Sequence, residues 1–170
     1  DELTEAPIEE LGMDRGFWVF RQPDYTKEYI VVADVSRGDG TDFSACQVFE
    51  VEDMKQCAEY KGKLSTTDYG HFLIDLATRY NDALLVVENN NIGWATIQTI
   101  IDRGYKNLFY QSKDLQVVDV EHQINNKYRA QDRNMVPGFS TTTKTRPLVI
   151  AKMEEYTREK LVKIHSNRLI

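Results

Sequence analysis

The sequence predicts an α/β fold in which three antiparallel strands precede a parallel strand and helices flank the sheet. Residues 29–35 form an apolar run that passes through the Gly38-Asp-Gly40 turn into an alternating segment at 44–51, a pattern typical of a β-hairpin. Apolar residues then recur at helical spacing over residues 68–80. The continuous aliphatic run at 83–87 is typical of a parallel strand that is buried on both faces.

The remaining elements follow from boundary residues and periodicity. Thr66 or Thr67 is predicted to cap the first helix, and Gly104 to close the second. In chain order, the predicted elements after the hairpin are a strand at 56–63, a helix at 68–80, a strand at 83–87, a helix at 93–103, a short strand at 107–110, a hairpin or extended loop at 117–130 and a helix at 148–165.

Length and composition indicate one globular domain. The chain has 170 residues, of which 41% are hydrophobic, and its longest apolar run is far too short to cross a membrane. The acidic N-terminus lacks the apolar core of a signal peptide, so a secreted protein is not expected. Cys46 and Cys57 fall in predicted strands and are expected to be buried thiols, and the three histidines lack the spacing of zinc ligands.

Charge is distributed unevenly along the chain. The net charge is −6, but ten basic and four acidic residues follow position 126, so this part carries +6 and the first 126 residues carry −12. A basic segment on an acidic body indicates either a phosphate-binding face or a solvated helix surface.

Two acids, Asp34 and Glu88, lie at the C-terminal ends of the predicted strands at 29–35 and 83–87. A right-handed helical crossover would lay these strands side by side and parallel, so both acids would lie at the edge where α/β sheets bind ligands. Two adjacent carboxylates repel each other unless they share a proton or a cation. Carboxylate oxygens suit Mg²⁺ or Mn²⁺, and such sites often hold two ions. The plainer alternatives are a turn-forming aspartate and a charge at the approach to a helix.

Three segments together carry a resemblance to a known family. Residues 34–44, 84–93 and 138–147 are similar, in this order, to motifs of the nuclease domain of the tailed-phage large terminase, and the similarity covers residues 29–165. The resemblance implies an RNase H-like fold and a metal-dependent endonuclease that cuts concatemeric viral DNA at the initiation and termination of packaging.

The resemblance also implies roles for individual residues. Asp34 would bridge two Mg²⁺ or Mn²⁺ ions, Glu88 would hold one of them, and Asp42 with Gly38 or Gly40 would support the turn. Hydroxyl groups and cations that contact phosphate position DNA without reading its sequence. The residues expected to contact the DNA backbone in this way are Ser140, Thr141, Thr142, Thr143, Lys144 and Arg146.

The chain departs from the family in one motif. The third metal-binding aspartate of the family lies near a C-terminal helix, and nothing after Pro147 matches it, so it is expected beyond Ile170 and the isolated chain is expected to be weakly active or inactive. Residues 1–28 are interpreted as a lead-in from an absent ATPase domain, and residues 29–170 as the nuclease domain. The implied partners are double-stranded DNA, the terminase ATPase domain, the portal ring and the small terminase subunit, in the host bacterial cytoplasm.

Two other classes of function stay open at this point. Asp34 with the glycine-rich turn loosely fits a nucleotide-binding domain of the actin and sugar-kinase type, although no second phosphate-gripping hairpin follows. A non-catalytic docking module of the same fold is the other alternative. A junction resolvase or a proofreading exonuclease would use the same metals on different DNA.

Overall fold

The computed structural model describes residues 4–113 and 134–169. The hairpin or extended loop predicted at 117–130 lies outside this part of the chain. A six-stranded sheet organises the described residues in the order β1-β2-β5-β4-β3-β6, and only the β3–β6 pair is parallel. Its strands are β1 (Glu9–Leu11), β2 (Phe17–Val19), β3 (Tyr29–Asp34), β4 (Ser44–Glu50), β5 (Lys55–Gly62) and β6 (Leu84–Val87).

Helices and a small second sheet complete the fold. The helices are α1 (Thr66–Arg79), α2 (Gly93–Asp102) and α3 (Thr145–Arg158), and the second sheet pairs β7 (Tyr110–Ser112) with β8 (Met135–Pro137). The predicted mixed α/β sheet, with its antiparallel strands followed by a parallel one, is confirmed. Within the described ranges, no helix combines the length and the apolar character that a membrane crossing requires.

The segment interpreted as a lead-in contributes two strands to this sheet. Phe17 and Val19 are buried on either side of the partly exposed Trp18, and β2 pairs with β5. Alternation over only three residues is a weak sequence signal for a strand. The sheet therefore begins before residue 29.

Helix boundaries differ from the predicted ones in two places. Ser65 caps α1, because its Oγ accepts a hydrogen bond from the Asp68 backbone N at 3.1 Å and donates to Asp68 Oδ2 at 2.8 Å; the prediction of Thr66 or Thr67 is wrong. Helix α3 ends at Arg158 rather than at residue 165. Lys160 adopts a φ of 57°, which ends the helix, and Leu161 N then bonds Tyr156 O at 2.9 Å.

The core lies between the sheet and α1. Buried aliphatic residues of β3, β4 and β6 pack with Leu73, Leu76 and Ala77 of the helix. Both cysteines are free and buried, as predicted, and burial raises the pKa of Cys46 to about 12 and of Cys57 to about 11. These thiols are inert filling of the core rather than nucleophiles or metal ligands.

Candidate metal and nucleic-acid site

Asp34 and Glu88 meet at one edge of the sheet. The parallel register of β3 and β6 sets Ala33 opposite Val87, and Glu88 N donates to Ala33 O at 2.9 Å. The next residues on the two strands are the two acids, and their carboxyl groups lie close enough to influence each other's protonation. Desolvation, followed by the hydrogen bond to Glu88 and its negative charge, raises the pKa of Asp34 above its ordinary value of 3.8.

Asparagines fix the position of Glu88. Asn90 Nδ2 donates both to Glu88 Oε1 at 3.0 Å and to Thr141 O at 2.9 Å. Asn89 is buried and its Nδ2 donates to Pro137 O at 2.9 Å. Gly93, at the start of α2, lies so close that an added Cβ would stand 2.0 Å from Glu88 O. The segment after β6 therefore holds this acid from its backbone and from its carboxylate.

The loop between β3 and β4 forms one wall of a cleft of about 920 Å³ that Asp34, Asp39 and Asp42 line. Buried serines brace the loop, since Ser36 N donates to Ser44 Oγ at 2.9 Å and Ser36 Oγ donates to Asp42 O at 3.2 Å. The exposed carboxylate of Asp42 is thus left facing the cleft while its backbone is tied to the loop.

The two glycines of this loop are not equivalent. Gly38 has a φ of +80°, and a Cβ there would stand 2.3 Å from Leu64 O. Gly40 has open space around its Cα. Of the two, only Gly38 is required by backbone conformation and by close approach.

The threonine-rich segment lies beside Glu88. Phe139 N donates to Val87 O at 2.8 Å, and Asn89 N donates to Phe139 O at 2.9 Å, so the chain continues the sheet next to the end of β6. Gly138 makes this approach possible, with a φ of +82° and a position at which a Cβ would stand 2.5 Å from Val87 O. All six residues predicted to contact DNA follow from this point, on the Glu88 side of the acid pair.

These six residues divide into two groups. Ser140 Oγ donates to Asn89 Oδ1 at 2.8 Å, and Thr142 Oγ1 accepts from the N–H of Thr145, the first residue of α3, at 3.0 Å. Among the described residues, none forms a hydrogen bond or an ion pair with the side chains of the remaining four, which are Thr141, Thr143, Lys144 and Arg146. The second group is the part of the segment with polar groups available to a ligand.

No role for Asn89, Asn90, Gly93, Ser36 or Ser44 is predicted from the sequence. The Asn-Asn-Asn run directly after the aliphatic strand was a usable signal, because amides that follow a buried strand often fix the backbone there. The serines gave no such signal, since their contact spans the whole turn.

The donor set fits a hard divalent cation. Two carboxylates in contact, one with a raised pKa, are the arrangement that such a cation stabilises. Within the described ranges, no group of three or more histidine, cysteine, aspartate or glutamate side chains is arranged to hold a metal. Asp34 and Glu88 are the carboxylates of this edge that could hold such a cation.

A mixed sheet with a strand order of this kind defines the RNase H-like class of α/β fold. Solved structures with a similar fold include large terminase nucleases, and the resemblance drawn from the sequence is confirmed at the level of the fold. No family model matches the chain.

Several of these structures come from the thermophilic phage G20c. The nuclease with bound magnesium has a TM-score of 0.68 at 13% identity, and the nuclease with bound cobalt 0.67 at 14%. In both cases the match covers 98% of this chain and 71% of the other. A third G20c structure has a TM-score of 0.52 at 19% identity, and the match covers 60% of this chain and 52% of that one. Identities this low establish the fold alone.

Proposed function

We propose that this chain is a metal-dependent DNA endonuclease of the large-terminase type, which cuts concatemeric DNA at the start and end of genome packaging. The observation that carries the proposal is the contact between Asp34 and Glu88 at the ends of adjacent parallel strands. The likeness to terminase nucleases solved with magnesium or cobalt supports it. The proposed partners are double-stranded DNA and, around it, the terminase ATPase domain, the portal ring and the small subunit.

Each residue of the site has a defined task in this proposal. Asp34 and Glu88 hold Mg²⁺ or Mn²⁺, and a pair of such ions supplies an activated water and neutralises charge on the leaving oxygen of a phosphodiester. Asn90 orients the Glu88 carboxylate. Asp42, Gly38 and the serine-braced loop shape the cleft beside Asp34.

The segment that follows Gly138 positions the substrate. Its free hydroxyls and cations, at Thr141, Thr143, Lys144 and Arg146, bind the DNA backbone without reading sequence, while Ser140 and Thr142 set the shape of the segment. The scissile phosphate is thereby held against the acid pair.

The test is cleavage of supercoiled plasmid with Mn²⁺ by the wild-type protein, by Asp34→Asn and by Glu88→Gln, both for this chain and for a longer version that continues past Ile170. Both variants are expected to lose at least about a hundredfold in rate, because the charge that binds the ions is removed. Asp39→Asn is the matched control, since it removes an acid from the same cleft but not from the pair. A Mn²⁺-dependent rise in melting temperature, present in wild type and absent in Asp34→Asn, gives a readout independent of cleavage.

A non-catalytic docking module is the second candidate. The absence of a third ligand side chain near the acid pair, within the described residues, favours it. Cleavage by the longer protein that Asp34→Asn abolishes would exclude this candidate. Intact plasmid in every reaction, together with no Mn²⁺-dependent stabilisation, would exclude the nuclease.

A further inference from the structure

Lys61 lies on the same face of the sheet as Asp34, two strands away from it. Asp34 is opposite Ala45 in the β3–β4 pair, and Ala45 is opposite Lys61 in the β4–β5 pair. Directly opposed residues share a face of a sheet, and neighbouring strands are about 4.8 Å apart, so Lys61 stands roughly 10 Å from Asp34 on the same face. The opposite face holds Ala33 and Cys46 in the core.

A second lysine, Lys63, lies beside Lys61, and both contact the exposed ring of Phe43. The Nζ atoms of Lys61 and Lys63 each lie 4.9 Å from the centre of the Phe43 ring. Phe43 is 45% exposed and lines the cleft that contains Asp34. A large apolar ring in this position packs against two ammonium groups rather than against the core.

Neither lysine is neutralised by the part of the chain that the structure describes. The ion pairs among these residues do not include Lys61 or Lys63. Asp39 and Asp42 are exposed on the neighbouring loop, and neither pairs with them. Two ammonium groups held about one ring without a counter-charge repel each other, and a polyanion would relieve that repulsion.

We propose that Phe43, Lys61 and Lys63 form a second DNA-backbone surface, on the side of the acid pair opposite to Thr141–Arg146, so that the substrate strand crosses the Asp34–Glu88 edge between two cationic contacts. The lysines bind phosphates, and Phe43 is a positioning residue that holds their ammonium groups together. This inference rests on the proposed nuclease function for the identity of the polyanion. A contact on only one side of the scissile phosphate would leave the DNA free to pivot, whereas contacts on both sides fix its direction.

The experiment measures binding of a fluorescein-labelled DNA duplex by anisotropy, without divalent cations, over a range of salt concentrations. Lys61→Gln/Lys63→Gln is expected to weaken binding about tenfold and to reduce the slope of log affinity against log salt by about 0.9 for each lysine. Lys61→Arg/Lys63→Arg is expected to restore both. Phe43→Leu is expected to weaken binding about threefold with the slope unchanged, because both charges remain.

Arg103→Gln/Lys106→Gln is the matched control. It removes two exposed cations near the other end of β6, where Leu85 N bonds Asn107 O. Equal effects of the control and the Lys61/Lys63 variant would overturn the proposal, as would no effect of either. Heparin should compete in the wild type and much less in the Lys61/Lys63 variant if the surface reads phosphate-like charge.

The outcomes separate this proposal from the function beneath it. Plasmid cleavage that is lost in Asp34→Asn, with duplex binding unaffected by the lysine substitutions, would overturn only the surface. Loss of binding in the lysine variant, with no cleavage by any version of the protein, would support the surface and contradict the nuclease. Circular dichroism checks that each variant is folded, as expected for substitutions of exposed lysines.

Discussion

Two carboxylates on the same face of the sheet, Glu59 and Asp34, differ in burial and in the charge of their neighbours. Glu59 is only 2% exposed, accepts from Ser166 Oγ at 2.7 Å and from Arg168 Nε at 2.5 Å, and lies 3.4 Å from the amide nitrogens of Gln47 and Gln56. Asp34 is exposed, and its nearest charged partner among the described residues is another acid, Glu88.

The difference distinguishes an acid that stabilises the fold, Glu59, from an acid that is proposed to bind a ligand, Asp34. The partners of Glu59 compensate the cost of burying it, and through Arg168, which stacks 3.6 Å from the centre of the Trp18 ring, they tie the C-terminal segment to β2 and β5. Among the described residues no cation forms an ion pair with Asp34 or Glu88, and the partner of the Glu88 carboxylate is the neutral Asn90 amide, so the fold tolerates repulsion at this edge. Uncompensated charge at a ligand-binding edge is typical of a site that a ligand completes.

The largest effect is expected from Glu59→Ala. This change leaves Arg168 Nε and the buried Ser166 Oγ without their carboxylate acceptor and should lower the free energy of unfolding by about 3 kcal/mol, as measured by urea denaturation. Glu52→Ala, which removes an exposed acid paired with Lys27, is the control and should cost far less. Equal losses in the two variants would remove the distinction between a structural and an ordinary surface acid.

The second effect concerns the loop that carries the cleft. Gly38→Ala should cost about 1–3 kcal/mol, because the residue has a positive φ and its Cβ would collide with Leu64 O. Gly40→Ala meets open space and should change stability by less than about 0.5 kcal/mol. Thermal denaturation of both variants provides the measurement, and a cost at Gly40 that matches Gly38 would contradict the assignment of the required glycine.

A smaller effect of opposite sign is expected at the acid pair. Asp34→Asn should raise the free energy of unfolding by about 0.2–1 kcal/mol at pH 7 in EDTA, since it removes a like-charge neighbour of Glu88. Asp39→Asn, in the same cleft, should leave stability unchanged. Destabilisation by Asp34→Asn would show that the pair is structural after all.

The smallest expected effect is the pH dependence of the stability difference between Asp34→Asn and the wild type. The pKa of Asp34 is raised in the folded state, so between the ordinary value of 3.8 and the folded value the native protein binds more protons than the unfolded chain, and its stability falls as pH rises. The stability difference between Asp34→Asn and wild type should therefore be close to zero below pH 3.8, grow through this window and stay constant above it. A series of melting curves in EDTA tests this, and a difference that shrinks with rising pH would reverse the sign of the coupling.

The sequence predicts the convergence of Asp34 and Glu88 because two apolar runs and one helical crossover suffice to align their strand ends. It does not predict the second DNA-backbone surface, because the position of Lys61 relative to Asp34 depends on the register of three strands. The C-terminal end of α3 is not predicted correctly from the sequence for a similar reason. Apolar residues continue to position 164, but residues after 160 pair with β5, where Gln56 N bonds Lys163 O at 2.9 Å, and tertiary pairing overrides helical periodicity.

The Asn90 amide has a thermodynamic consequence. Its single NH₂ group donates at once to the Glu88 carboxylate and to the backbone of Thr141, so one side chain connects the proposed cation ligand with the proposed DNA-binding segment. Coupling between two binding sites is reciprocal. If DNA bound at residue 141 changes the affinity of the Glu88 site for its ion by some factor, the bound ion changes the affinity for DNA by the same factor. Under the proposed function, substrate and cation are therefore expected to bind as linked ligands, so that the occupancy of one reports on the other.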